Sequence, residues 1–384
     1  MRRITNVRLP NPKSNCQGDF WWVLLDDEDI VIAVHPMENG SAMSGENWRG
    51  DWLSPMGIDL QMNGGLGLAF PELTIEDLPK LFDLLDLLWT DGVEAICPTF
   101  VSCSLSSLRM GLDVLREARK HHSTHRCKLL GGHLEGPFLA KNRNGAHDPQ
   151  YLCLPSLSAL NELIGGIEEE IALVTLAPEL DGSLDVIKRL KNLGIVACLG
   201  HSSADYETCK IAFSQGVRML THAFNAMPGL QHRSPGPIGE AIDNGEIAIG
   251  LIADGVHVHP NMAVLLQRLA STQLVLVSDA IAPYGLKDGK YKWDKRFVVS
   301  ENGTCRLENG TLAGSTLPLL KTCKNLARWT GYPPSAIWSA TIAPRVVLEK
   351  EQKVYDYLLG KPLNQLLRWT MSSEQNELSW QRAA

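Results

Sequence analysis

Two textures of apolar and polar positions divide the chain. Up to about residue 55, apolar residues come in short runs, Ile4 to Val7, Trp21 to Leu25 and Ile30 to Val34, split by polar turns. Runs of that length predict a few antiparallel strands. From about Pro55 onward the texture becomes strand, loop, helix, repeated. Thr74-Ile75-Glu76-Asp77 has the form of a capping box, in which the hydroxyl and the acid three residues later satisfy N–H groups left unpaired by the first helical turn. Leu78, Leu81, Phe82, Leu85 and Leu88 then share one helical face. Gly92 supplies the left-handed stop, and Val93 to Phe100 follows as an apolar strand. The same phrase recurs as Leu184 to Leu193, Gly194, Ile195 to Leu199, and as Ala204 to Gln215, Gly216, Val217 to Leu220. Helix, glycine and buried strand in succession predict parallel βαβ units.

Eight such strands can be counted, near residues 57–62, 93–99, 129–134, 171–177, 195–200, 217–221, 247–253 and 274–278. Eight βα units favour an α/β fold closed as a (β/α)8 barrel over residues 55–344, with an open sheet as the alternative that the pattern also allows. The chain, at 384 residues and 44% hydrophobic, has room for such a barrel of roughly 250 residues and a smaller unit. After Pro344 the pattern weakens, and Val354 to Trp380 holds apolar positions without a clear period.

Composition narrows the setting. No run of about 18 apolar residues predicts a membrane span, and Arg2 and Arg3 are not followed by the apolar segment of a secretory signal, so a cytoplasmic protein is expected. Nine cysteines without a CxxC pair, Cys16 among them, read as reduced thiols. A net charge of −7 with no long basic cluster argues against nucleic acid as a partner. An anionic ligand would have to be held by a few local donors.

The candidate chemistry falls at the C-terminal ends of the expected strands. The third ends in Gly131-Gly132-His133-Leu134-Glu135, the fifth in Gly200-His201-Ser202-Ser203, the sixth in Thr221-His222-Ala223-Phe224-Asn225, the eighth in Ser278-Asp279-Ala280. In a barrel these ends converge on one rim. A carboxylate and two imidazoles from three strands make a three-ligand site with an open position, the arrangement of a catalytic rather than a structural zinc. Singly, each residue has a plainer reading, as a helix cap, an ion-pair partner or a packed side chain. His133 reads as either packed or supporting, and His121, His122 and His125 as an exposed helix end.

Several stretches together resemble the N-acetylglucosamine-6-phosphate deacetylase family of the amidohydrolase superfamily. They are HLEGPF at residues 133–138, NGAH at 144–147, LGHS at 199–202, THAFNAMP at 221–228, IADGVH at 252–257, VSDA at 277–280 and GTLAGS at 310–315. The resemblance implies a barrel of the amidohydrolase type, with a small β-rich domain formed by the chain termini, residues 1–54 plus 345–384. It implies one divalent metal per subunit, with zinc expected, held by Glu135, His201 and His222. Asp279 would be the catalytic acid and base, and His147 would polarise the acetamide carbonyl. Asn225, Ala226, Arg233 and His257 would contact the sugar phosphate, some of them across a homodimer interface. One departure bears on the metal: the superfamily's His-x-His at the end of the first strand is here Gln61-Met62-Asn63. Amides are weak zinc ligands beside imidazole, so one metal is expected rather than two. The C-terminal stretch, residues 349–384, lacks the Gly- and Asp-rich texture by which the family returns to its small domain. Another N-acetyl sugar phosphate as substrate, and a non-catalytic sugar-phosphate-binding barrel, are the alternatives.

Overall fold

Eight parallel strands, each hydrogen-bonded to the next in sequence, form the centre of the molecule. In a computed structural model that describes residues 1–13, 19–38, 43–348, 353–372 and 377–384, they are β1 (Gly57–Met62), β2 (Val93–Val101), β3 (Gly132–Glu135), β4 (Ile171–Leu176), β5 (Val196–Leu199), β6 (Val217–Leu220), β7 (Ala248–Leu251) and β8 (Leu274–Leu276). All lie within a few residues of their expected places. The expected third strand is split: Lys128–Leu129 pairs with the start of β2, and β3 resumes three residues later against its end. Closure comes from the segments that follow β1 and β8. The Asp279 N–H donates to the Gln61 carbonyl at 2.9 Å and the Asn63 N–H to the Ala280 carbonyl at 2.7 Å. The buried Asp59 carboxylate accepts the Ser278 N–H across the same seam, and burial pushes its pKa up to about 6.

Side chains alternate along each strand, so every second residue enters the barrel. Those inward positions change character from bottom to top. Cys97, Leu173, Met219 and Val277 pack together in an apolar interior cluster. Two residues later the same faces carry Thr99, Thr175, Thr221 and Asp279, all buried. His133 belongs to this polar layer: its Nδ1 lies 3.0 Å from the Leu60 carbonyl and its Nε2 2.7 Å from Thr175 Oγ1. It is a packed, satisfied histidine beneath the rim. Outside the strands, helices such as Leu78–Thr90, Ser183–Leu193 and Tyr206–Gln215 bury their apolar faces on the opposite set of strand residues.

Two parts go beyond the hydrophobic pattern of the sequence, and the second of them was expected from the family resemblance alone. Between β8 and the helix Leu319–Thr330, the chain makes a four-stranded antiparallel meander, Gly289–Trp293, Arg296–Glu301, Thr304–Leu307 and Leu312–Ser315. Its last strand is tied to the end of β8, because the Ser315 N–H donates to the Asp279 carbonyl and its hydroxyl to the Ser278 carbonyl. The C-terminal stretch, patternless in sequence, supplies Leu366–Met371 and Leu378–Arg382, which form a sheet with Trp52–Pro55. Leu358, Leu363, Leu366 and Ala383 share one core with Ile4, Val7, Val23 and Val31 of the N-terminal strands. The termini therefore build one β-rich domain. The eight described cysteines are free, six of them buried, and Cys16 lies outside the described residues. No helix among the described residues is long and apolar enough to cross a membrane.

Glu94, near the start of β2, anchors the terminal segments to the barrel. Its carboxylate accepts from the Arg345 guanidinium and, at 2.5 Å, from Lys361 Nζ. Burial favours the neutral acid, but Arg345, Lys361 and Lys128 overcome it and hold the pKa at about 2, against 4.5 ordinarily. Lys361 is itself held below the ordinary lysine value, since burial and Arg345 outweigh Glu94 for it. The cluster is therefore worth less than the carboxylate's shift alone, about 3 kcal/mol as an upper figure. A depressed carboxylate stabilises the fold above its unfolded pKa and loses that contribution as pH falls toward 2. Glu94→Gln, which strands the buried Arg345 and the half-buried Lys361, should lower the urea midpoint clearly at pH 7 and much less at pH 3. Equal midpoints at pH 7 would remove the cluster from the stability of the fold.

Candidate active site

The chain's turns at the barrel rim aim the polar side chains inward. His201, His222 and Asp279 each follow the end of a barrel strand, and each adopts a positive φ, +48°, +28° and +48°. Non-glycine residues rarely take that conformation, and they cluster at functional sites where surrounding structure enforces it. NGAH, the 144–147 motif, approaches just as closely: Gly145 has φ +55°, and a Cβ there would lie 3.2 Å from the His201 ring.

Glu135 is the hub. Its Oε1 lies 3.1 Å from His201 Nε2 and 2.9 Å from His222 Nε2, and the two Nε2 atoms are 3.1 Å apart. His147 Nε2 lies 3.9 Å from Glu135 Oε2. Glu135, His147 and His201 each offer a ligand atom within 4.8 Å of the others, and His222 completes the ring of donors. The His201 tautomer follows from its surroundings. The Arg143 carbonyl, 2.8 Å from Nδ1, can only accept, so Nδ1 carries the proton and Nε2 presents a lone pair to a carboxylate. Two acceptors that close repel unless a cation lies between them. A tetrahedral zinc with bonds of about 2.0–2.1 Å spaces its ligand atoms by about 3.3 Å, near the separations found. The buried donor set and the amidohydrolase-type barrel together imply a divalent metal.

His147 has a different part available to it. The Ser102 N–H donates to its Nδ1 at 3.2 Å, which leaves the proton on Nε2, facing Glu135. Burial, helped by nearby His201 and opposed by Glu135, pushes its pKa down to about 3. The ring is a neutral N–H donor at pH 7. Across the cluster, Asp279 Oδ1 accepts from Asn63 Nδ2 at 2.7 Å and from Gln61 Nε2 at 3.2 Å, and Gln61 Nε2 also reaches Glu135 Oε1 at 3.2 Å. Burial and the negative Glu135 push the Asp279 pKa up to about 7, with His222 and His257 pulling the other way. The arrangement offers donors for a metal, a proton acceptor near neutrality and a fixed N–H donor around one point.

These groups floor a cavity of about 320 Å³, at the small end of the range for small-molecule sites. Asn225, Ala226 and His257 line it, the last braced by Asp254 at 2.6 Å. Arg233 is exposed and lies outside the lining of its own chain's cavity. Sequence reasoning missed the roles of Asn142, Arg143 and Trp293 in the walls. Asn142 and Arg143 sit two residues and one residue before a motif that was noticed, and Trp293 arrives on the unforeseen meander. A larger cavity, about 970 Å³, opens at the opposite end of the strands, against Arg218, Ala248 and Val275. Among the described residues it carries no cluster of metal-ligating side chains, and barrel enzymes place their chemistry at the C-terminal end.

No family model matches the chain. It is 32% identical over 346 residues to the N-acetylglucosamine-6-phosphate deacetylase of Vibrio furnissii, covering 87% of this chain and 85% of the relative. It is also 32% identical over 323 residues to the N-acetylgalactosamine-6-phosphate deacetylase of Escherichia coli O157:H7, covering 84% and 83%. Among solved structures, N-acetylglucosamine-6-phosphate deacetylase from Thermotoga maritima matches 99% of this chain and 98% of its own, at 27% identity and a TM-score of 0.78. With that identity sustained over most of both chains, the protein belongs to the N-acetylglucosamine-6-phosphate deacetylase family.

Proposed function

We propose that the protein hydrolyses the acetamide of N-acetylglucosamine 6-phosphate to glucosamine 6-phosphate and acetate. The observation that carries this reading is the placing of Asp279 and the His147 N–H on two sides of the Glu135, His201 and His222 cluster. Glu135, His201 and His222 hold one divalent metal, zinc in our reading. When bound, such an ion polarises a carbonyl and acidifies water. Gln61 and Asn63 stand where the superfamily has its His-x-His and turn their amide N–H groups to Glu135 and Asp279; amide oxygens are weak zinc ligands beside imidazole, which supports one metal rather than two. Asp279 takes the proton from the attacking water as the oxygen bonds to the acetamide carbon. It returns that proton to the nitrogen as the C–N bond breaks. The His147 N–H donates to the carbonyl oxygen as negative charge grows there.

The 6-phosphate lies away from the reacting bond and supplies binding energy that positions the acetamide. In our reading Asn225, Ala226 and His257 receive it. Arg233, exposed beyond its own cavity, fits a contribution to the neighbouring subunit of a homodimer. Free, mostly buried thiols suit a reducing cytoplasm. A second reading, that the galacto epimer is the substrate, has the Escherichia coli O157:H7 relative in its favour.

Acetate release from both sugar phosphates, measured beside zinc content, tests the proposal. Faster turnover of the gluco epimer with one zinc per chain is expected. A higher kcat/KM on the galacto epimer would transfer the assignment to the second reading, and tight binding without acetate release would make the protein a sensor.

A further inference from the structure

Substrate binding poses a charge problem. A phosphate monoester brings nearly two negative charges into a cavity whose own acids, Glu135 and Asp279, are buried on its floor. Among the described lining residues, Arg143 is the one guanidinium or ammonium group. It is half-buried, and no carboxylate of the described residues lies within 4.0 Å of it. Its Nε donates to Ser203 Oγ at 3.1 Å, and Asn142 Nδ2 donates to the same oxygen at 3.1 Å. Nη1 and Nη2 make no hydrogen bond within the described residues. A guanidinium held at one edge, with its other edge uncommitted beside a cavity, is built to receive a planar or tetrahedral anion.

The corner is rigid for reasons on both sides. Glu179 accepts from the Ser202 hydroxyl at 2.6 Å and from the Ser203 N–H at 2.5 Å, which fixes the turn that carries Ser203. The Ala140 N–H donates to the His201 carbonyl at 2.9 Å and His201 Nδ1 donates to the Arg143 carbonyl at 2.8 Å, which fixes the turn that carries Arg143. The Ser203 hydroxyl, already accepting twice, has its own proton free to donate. The Ser202 N–H donates to the Ala226 carbonyl at 3.1 Å, so this corner abuts the Asn225–Ala226 turn. Asn142, Arg143 and Ser203 thus form a second wall of donors beside it.

We infer that Arg143, oriented by Ser203 and assisted by Asn142, binds the phosphate dianion of the substrate from within the same chain and selects phosphorylated over unphosphorylated sugar. The inference rests on the sugar-phosphate reading above. It adds a cation that the resemblance did not assign, and ties the phosphate to a metal ligand through the Arg143 carbonyl.

The test uses the zinc-loaded protein. Arg143→Met is expected to weaken binding of inorganic phosphate, followed by calorimetry, by about 30-fold, the worth of a charge-assisted hydrogen bond or two. The ratio of kcat/KM on N-acetylglucosamine 6-phosphate to that on N-acetylglucosamine should fall by a similar factor, mostly through KM. Zinc content should be unaltered, because the backbone carbonyl that holds His201 remains. Arg143→Lys should recover part of the phosphate affinity, and Ser203→Ala should lose less than Arg143→Met in the same direction. Unchanged phosphate affinity, or equal losses on both sugars, would overturn the inference. Should the wild-type protein release no acetate from any sugar phosphate, the deacetylase reading fails while the phosphate titration still decides the role of Arg143.

Discussion

Asp279→Asn is expected to lower kcat by about 10³-fold, within the range for removing a general base, while the metal content stays at the wild-type level. The substitution is nearly isosteric, and an amide oxygen can still accept from Asn63 and Gln61, as Asp279 Oδ1 does. What disappears is the ability to take a proton. The pH profile makes the loss specific. Burial and Glu135 push the Asp279 pKa up to about 7 against the pull of His222 and His257, and a base works only when ionised, so activity falls as pH drops through its pKa. A cation beside Glu135 offsets the negative charge that raises Asp279, so the acid limb of kcat/KM for the metal-loaded enzyme should lie below 7. In Asp279→Asn the residual activity should lack that limb. Acetate release between pH 5 and 9, beside metal content per chain, measures both. A variant within tenfold of wild type would remove Asp279 from proton transfer.

The same residue shows what a sequence can disclose. Side chains alternate along a strand, so Val277 and Asp279 share one face, as do Leu173 and Thr175. Barrel geometry then sends every such strand end to one rim, so the grouping of Glu135, His201, His222 and Asp279 was legible before any coordinate. Their aim was not. His201, His222 and Asp279 turn inward through positive φ angles, which local sequence does not favour and only the closed barrel enforces. The wall formed by Asn142, Arg143 and Ser203 was hidden for a related reason: it is assembled by contacts between loops 60 and 61 residues apart. The C-terminal strands were illegible because they are short and their partner, Trp52–Pro55, lies more than 300 residues earlier. The meander leaves only a weak signal, the alternation of Lys290 to Trp293 and Arg296 to Glu301, because its strands are short and half-exposed.

Stripping the metal with a chelator should abolish turnover and lower Tm by several degrees, and Glu135→Gln should do both without a chelator. Glu135 is almost wholly buried, so desolvation would raise its pKa, yet its close polar contacts with His201 and His222 and the charge of His222 hold it well below the ordinary value. A buried carboxylate beside the His201 lone pair needs a positive partner. With the metal gone a proton must serve, and His222, whose pKa is raised by Glu135 and Asp279 despite burial, is placed to carry it. The metal-bound fold is the more stable one by mass action, about 4 kcal/mol for free metal at a thousand times its Kd. That corresponds to several degrees in Tm for a chain of this size. Because protons compete with the metal for the cluster, metal affinity should fall as pH is lowered. Gln at position 135 keeps the shape but not the charge, so its Tm should start low and ignore the chelator. Asp279→Asn, by contrast, should be as inactive yet keep the chelator-sensitive Tm of the wild type. If chelation moves neither Tm nor turnover in the wild type, the carboxylate and imidazoles at the rim hold no metal and Asp279 has lost its partner in the reaction.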